Sequence, residues 1–171
     1  RPGWFAETLN WLDGELAARG RTRLGDPALV HNWQISCLWR VETGGGPLFL
    51  KAVPPFFGRE AALTAWLAVR FPGEVPPVLA ADPARRAWLM EEAGASLDPL
   101  PIEAARAAFS QLARIQRETA AHSGEMARLG CLDRSLPVLK EQARALLADD
   151  AALGLGREGG LTPGEARTLR D

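Results

Sequence analysis

The feature that most constrains the fold is the stretch GPLFLKAVPPFFGREAALTAWLAVRF, residues 46–71. Its first part has the continuous apolar texture of a buried strand, which Pro54 and Pro55 bring to an end. Its second part places apolar residues at helical spacing and predicts a helix over residues 57–71. A strand that leads so directly into a helix predicts a mixed domain in which sheet and helix pack together.

The rest of the chain shows the same two kinds of pattern, strand-like segments and apolar residues at helical spacing. The predicted helices are residues 4–18, 57–71, 102–119 and 136–147 and one that starts near residue 162, and the predicted strands lie within residues 28–42, 48–53, 78–82 and 87–92. Thr162, with Glu165 three positions later, predicts the cap of the last helix. This order predicts an α+β fold in which five consecutive-neighbour strands form an antiparallel sheet that carries a packed helix.

Composition narrows the class of protein. The 171 residues are 47% hydrophobic and 24% charged, with a net charge of −1, which is typical of a soluble globular protein without a nucleic-acid or membrane partner. No apolar run approaches the roughly 18 residues of a membrane span, and residue 1 does not open a signal peptide. Cys37 and Cys131 fit a reducing compartment, so we expect a cytoplasmic protein. The oligomeric state has no sequence signal.

One basic residue has an unusual position. Of the 20 Lys and Arg residues only Lys51 and Lys140 are lysines, and Lys51 follows the apolar residues LFL within a predicted strand. A lysine there is costly unless it is paired or reaches water, and Glu60, in the first turn of the next predicted helix, is the nearest plausible partner. A strand lysine held by a helix carboxylate can position the phosphates of a nucleotide. The alternative is a lysine of an edge strand that extends into solvent beside an unrelated glutamate.

Five segments carry a resemblance to a known family: VHNWQISCLWRVE, PLFLKAV, REAALTAWL, VPPVLAAD and AWLMEEAGASL. In order and spacing they resemble the aminoglycoside phosphotransferase-like branch of the kinase-like superfamily, over roughly residues 25–120. The resemblance implies a kinase-like N-lobe with an N-terminal helix over residues 1–93 and a hinge or linker at residues 94–101. Residues 102–171 would then be the helical beginning of an incomplete C-lobe, and the chain would be the front portion of such a protein.

The same resemblance assigns roles to single residues. Lys51 would contact the nucleotide's phosphates, and Glu60 would hold Lys51 in place. Met90 would lie at the back of the adenine pocket. The backbone of Glu91 and Ala93 would form hydrogen bonds with the edge of the adenine.

The turn around residues 32–36 would replace a glycine-rich phosphate-covering loop, because the chain has no G-x-G-x-x-G motif. Ser36 would offer its hydroxyl or amide to a phosphate, or it would be a solvated strand residue. Most tryptophans and phenylalanines are expected in the core. Trp33 and Trp88 are of interest because they lie near the expected pocket.

The family's catalytic loop is missing from this chain. Its chemistry needs an H-x-D-type loop, then a metal-binding asparagine and a second aspartate. The residues after His31 and His122 do not match this pattern, and we expect His122 to be a solvated or capping residue. The chain is therefore expected to hold no catalytic residue and no metal ligand, with the Mg²⁺ ligands in the missing part of the C-lobe, and to be inactive by itself.

Three functions remain open from the sequence. The first is an ATP- or GTP-dependent phosphotransferase acting on a hydroxyl of a small molecule, such as an aminoglycoside-like or amino-alcohol substrate. The second is a non-catalytic nucleotide-binding or scaffold module with a kinase-like lobe. The third is an α+β interaction domain with no ligand. The acceptor cannot be identified from these residues.

Overall fold

The computed structural model describes residues 2–94 and 99–170, which fall into two compact units divided between Gly130 and Cys131. The first unit contains α1 (Trp4–Ala17), β1 (Ala28–Trp33), β2 (Ser36–Val41), β3 (Leu48–Ala52), α2 (Glu60–Arg70), β4 (Val78–Asp82), β5 (Ala87–Glu91), α3 (Ile102–Thr119) and α4 (Ser123–Arg128). Single 3₁₀ turns, Pro55–Phe57 and Ala120–His122, precede α2 and α4. The second unit contains α5 (Leu136–Ala148) and α6 (Pro163–Arg170).

The five strands form one antiparallel sheet in the order β1-β2-β3-β5-β4. The α+β class and the five-stranded antiparallel sheet are thus confirmed. The predicted consecutive order is wrong, because β5 and not β4 lies beside β3. α2 joins β3 to β4, and a helical crossover leaves the strands that it connects parallel to each other. The turn at residues 83–86 then folds β5 back between them, where it pairs with both.

The main apolar core lies between α1 and one face of this sheet. Leu12 and Leu16 of α1 are fully buried and belong to the same cluster as Leu48 and Leu50 of β3. Burial of these leucines is the main stabilising contribution, at about 1.5–3 kcal/mol for each side chain. Because side chains alternate along a strand, Lys51 points to the opposite face of the sheet from Leu50.

α2 begins later than predicted. Residues 57–59 were expected in the helix, but Phe57 and Gly58 donate their amides to the carbonyls of Pro54 and Pro55, which closes a separate 3₁₀ turn. The α-helix therefore starts at Glu60. Its carboxylate lies at the positive end of the helix dipole, where a negative charge is favourable.

The predicted linker at residues 94–101 lies partly outside the described residues. The first compact unit continues beyond it, because α3 and α4 pack with the earlier elements. Arg114 of α3 forms an ion pair with Glu74, and Trp66 of α2 donates a hydrogen bond to Glu125 of α4. The contacts thus divide the described chain after Gly130, and the lobe boundaries at residues 93 and 102 stay predictions.

In the second unit, α6 begins with the predicted capping residues. The amide of Thr162 donates to Glu165 Oε2 at 2.8 Å, and the amide of Glu165 donates back to Thr162 Oγ1 at 3.2 Å, so this capping box is confirmed. Cys37 and Cys131 are both free thiols. Within residues 2–94 and 99–170, the helices fall short of the length and apolar character that crossing a membrane requires.

Candidate functional site

Lys51 lies in the middle of the sheet. It pairs with Leu38 of β2 on one side and with Trp88 of β5 on the other, so the alternative of an edge-strand lysine is wrong. Its side chain is 22% exposed, and its neighbours along the strand are Leu50 and the buried Ala52. The pairing of β3 with its two neighbouring strands therefore places the Lys51 side chain on the sheet face opposite the core formed with α1.

The Lys51 ammonium contacts the carboxylate of Glu60, as the sequence predicted. The Glu60 side chain is 33% exposed, so both charged groups are shielded from solvent while still reaching it. The ammonium also lies 5.4 Å from the centroid of the Trp88 ring, within the range of a cation–π interaction. The carboxylate and the ring together hold one positive charge at a defined position above the sheet.

Trp88 is the large buried aromatic residue beneath this charge. It is 1% exposed, and its indole nitrogen has no hydrogen-bond partner among the described residues. An unsatisfied buried donor costs about 1–3 kcal/mol. The prediction placed Trp88 near the expected pocket, and it lies beside Lys51 on the same sheet face.

The three residues predicted to contact adenine lie at or just beyond the end of β5. Met90 is half-buried and pairs with Phe49 of β3, whereas Glu91 and Ala93 are exposed. The Glu91 amide already donates to the carbonyl of Pro77 at 3.0 Å. A base contact at Glu91 would therefore have to use its carbonyl oxygen.

Ser36 opens β2 after a two-residue turn, so the predicted turn at residues 32–36 is present. The alternative of a solvated strand residue is wrong, because Ser36 is 8% exposed and its hydroxyl lies 3.2 Å from His31 Nε2. Ser36 is two residues before Leu38, the cross-strand partner of Lys51, so it starts on the same sheet face as Lys51. Its contact with a phosphate stays a prediction.

The described pocket of about 580 Å³ lies elsewhere. Its wall comes from α1, the β1–β2 turn, the end of β3 and the β4–β5 turn, and it includes Ser36 but neither Lys51 nor Glu60. Ala52 and Cys37, which share the α1 side of the sheet, belong to this wall. The paired lysine is therefore not part of this pocket.

Sequence reasoning missed a polar cluster around Glu125. Its carboxylate accepts hydrogen bonds from Trp66 Nε1 at 2.8 Å and Arg70 Nη2 at 2.7 Å, and its other oxygen lies 3.0 Å from His122 Nδ1. The hydrogen bonds from Trp66 and His122, with the nearby Arg70 charge, lower the pKa of Glu125. The cluster links α2 to α4. It was missed because α4 was not predicted, although the spacing of His122 and Glu125 was a usable signal.

The described residues supply no metal centre of their own. In the parts of the chain that the structure describes, no group of three or more His, Cys, Asp or Glu side chains is placed to hold a metal ion. The described part of the chain therefore does not fit a resident Mg²⁺ site.

Comparisons of the chain with protein-family models, with curated proteins and with solved structures found no match. They therefore show no family for this chain.

Proposed function

We propose that this chain is the nucleotide-binding lobe of an ATP- or GTP-dependent phosphotransferase that acts on a hydroxyl of a small molecule, such as an aminoglycoside-like or amino-alcohol substrate. The observation that carries the proposal is the Lys51–Glu60 ion pair on a central strand, on the sheet face opposite the core. A lysine within a sheet is costly, and its retention beside a carboxylate and an aromatic ring is accounted for if it serves a ligand.

The chemistry of the pair suits a polyphosphate. An ammonium group has three donors, so contact with Glu60 leaves donors for phosphate oxygens. Lys51 would offset the charge of the α- and β-phosphates, and Glu60 would restrict the lysine to one position. Glu60 also carries a negative charge, which would reduce nonspecific binding of anions at the empty site.

The end of β5 would receive the base. Met90 is half-buried on the strand beside β3, and the exposed backbone at Glu91 and Ala93 is accessible to a planar ring. The carbonyl of Glu91 and the backbone of Ala93 would form hydrogen bonds with the adenine or guanine edge. Ser36 would lie toward the phosphates, on the same sheet face as Lys51.

Phosphate transfer itself would depend on residues outside this chain. The resemblance places the catalytic aspartate and the Mg²⁺ ligands in a C-lobe loop that follows these residues. We therefore propose that this chain binds nucleotide weakly and does not transfer phosphate by itself. A non-catalytic nucleotide-binding module is the second candidate, because it would use the same Lys51–Glu60 pair without that loop.

The proposal is tested by titrating the 171-residue chain with ATP and with GTP in isothermal calorimetry. We expect Lys51→Met to weaken nucleotide binding about tenfold or more, since a hydrogen bond between charged groups contributes about 1.5–3 kcal/mol. Glu60→Gln should weaken it less, because the ammonium remains. Lys140→Met is the matched control: it removes the other lysine, which is exposed on α5, and should leave binding unchanged.

Nucleotide binding that is unaffected by Lys51→Met would contradict the proposal, and no binding at all would favour a domain without a nucleotide ligand. The enzyme and the non-catalytic module are separated by assaying ADP release in a longer protein that includes the segment after this chain. Acceptor-dependent ADP release that Lys51→Met abolishes supports the phosphotransferase. Tight nucleotide binding without ADP release supports the non-catalytic module.

A further inference from the structure

The pocket of about 580 Å³ shares Ser36, but no other residue, with the proposed nucleotide site. Its size is within the range of about 300–1,000 Å³ that is typical of small-molecule sites. Trp4 of α1 and Trp33 at the end of β1 contribute aromatic walls, and Arg85 and Arg86 of the β4–β5 turn contribute the cations. Lys51 and Glu60 lie outside this lining, so the ion pair that carries the proposed function is not part of the pocket.

The β4–β5 turn holds Arg86 in an unfavourable backbone conformation. Its φ is +53°, and it is the one non-glycine residue with positive φ among those described. The turn is anchored on the other arginine: Asp82 accepts a hydrogen bond from the Arg85 amide at 2.9 Å and forms an ion pair with its guanidinium. A glycine would adopt this conformation without strain. Strained positions that are not glycine concentrate at ligand-binding sites.

The two arginines also carry unused hydrogen-bonding capacity. The Nε atoms of Arg85 and Arg86 are buried and without a partner, and they are two of three such side-chain nitrogens in the described residues. Arg85 is neutralised by Asp82, but Arg86 forms no ion pair with any carboxylate that the structure describes. A guanidinium keeps its charge at any physiological pH, so Arg86 is a lasting positive charge in the pocket wall.

We propose that this pocket binds a small organic carboxylate that bears a flat ring. The planar fork of an arginine matches the two oxygens of a carboxylate, and the indole walls suit a ring. A carboxylate carries one negative charge, which the single guanidinium of Arg86 can match, whereas a phosphate monoester carries close to two at pH 7.

The test is a calorimetric titration of the 171-residue chain with benzoate, benzyl alcohol and phenyl phosphate. It is carried out in the Lys51→Met background, so that anions cannot bind at the lysine of the proposed nucleotide site. We expect benzoate to bind about tenfold or more tightly than benzyl alcohol, because only the carboxylate can pair with Arg86. Phenyl phosphate should bind more weakly than benzoate.

Arg86→Gly is the decisive variant, because glycine suits the positive φ and the variant should fold. It should weaken benzoate binding about tenfold or more, whereas Arg86→Lys should have a smaller effect because it keeps the charge without the fork. Trp33→Leu, at a residue that is 65% exposed, should weaken benzoate binding without unfolding the chain.

Three results would overturn the proposal. One is benzoate binding that Arg86→Gly leaves unchanged while circular dichroism shows a folded chain. Another is benzyl alcohol binding as tightly as benzoate, which would remove the role of the charge. The third is phenyl phosphate binding more tightly than benzoate, which would exclude a monocarboxylate. None of these results depends on whether the chain binds ATP.

Discussion

Lys51 and Arg86 are two cations that the fold treats in opposite ways. Lys51 lies in a regular central strand, its charge is matched by Glu60, and its backbone is unstrained. Arg86 lies in a tight turn with a φ of +53°, and it has no carboxylate partner among the described residues. They differ in whether the protein without a ligand already supplies a carboxylate that neutralises the charge.

This difference distinguishes two ways in which a protein can keep a charged side chain available for a ligand. A paired lysine contributes to stability without a ligand and can move part of its hydrogen bonding to a phosphate when one arrives. An unpaired arginine in a strained turn stabilises the empty protein little. It gains most when an anion binds. Variants at the first site should therefore lower stability, and variants at the second should mainly affect binding.

The largest expected effect is at the paired site. Glu60→Gln leaves the Lys51 ammonium in the sheet without its counter-charge, and we expect the free energy of unfolding to fall by about 1–2 kcal/mol in urea denaturation. The double variant Lys51→Met/Glu60→Gln should regain part of the lost free energy of unfolding, because removing both charged groups leaves no unpaired charge in the sheet.

Glu103→Gln is the control for this prediction, since Glu103 pairs with Arg106 where both side chains are more than 70% exposed. It should leave stability unchanged. If Glu60→Gln is as stable as Glu103→Gln, the ion pair at Lys51 has no structural role, and the contrast between the two cations disappears.

A smaller, pH-dependent effect is expected at the turn that holds Arg86. The hydrogen bond from the Arg85 amide, together with the Arg85 guanidinium, lowers the pKa of Asp82 in the folded protein. A lowered pKa means that Asp82 contributes stability above its unfolded pKa of about 3.9, and that this contribution is lost as the pH falls through the folded value.

Asp82→Asn should lower the free energy of unfolding at pH 7 by about 1 kcal/mol and by less at pH 3, when measured by urea denaturation at both values. The difference between wild type and variant should therefore shrink with acid. A difference that stays constant from pH 7 to pH 3 would show that the Asp82 charge does not anchor the turn.

The Lys51–Glu60 pair could be predicted from the sequence because the signals that place both residues lie within one short stretch of the chain. The apolar run around Lys51 defined a strand, Pro54 and Pro55 ended it, and the helical spacing that followed placed Glu60 within reach. The strands and the exact bounds of α3 were also accessible, because periodicity reports local structure. The nucleotide role of the pair stays a prediction.

The second site could not be predicted, because it depends on long-range packing. The order β3-β5-β4 brings the β4–β5 turn toward the β1–β2 turn and the start of α1, and no local pattern gives that order. The sequence PARR indicates a turn but not the positive φ of Arg86. Glu125 was missed for a related reason, since its partners Trp66 and Arg70 are more than fifty residues away.

The smallest expected effect has the opposite sign and is the sharpest test of the comparison. Arg86→Gly removes a side chain from a residue at φ +53°, so relief of backbone strain should offset the greater flexibility of glycine in the unfolded chain. We expect the free energy of unfolding to stay the same or rise by up to about 1 kcal/mol, read from urea denaturation.

Arg85→Gly is the matched control: residue 85 lacks a positive φ and the variant loses the ion pair to Asp82, so it should be less stable than wild type. If Arg86→Gly loses as much stability as Arg85→Gly, then the Arg86 guanidinium stabilises the turn itself and is not held ready for an anion.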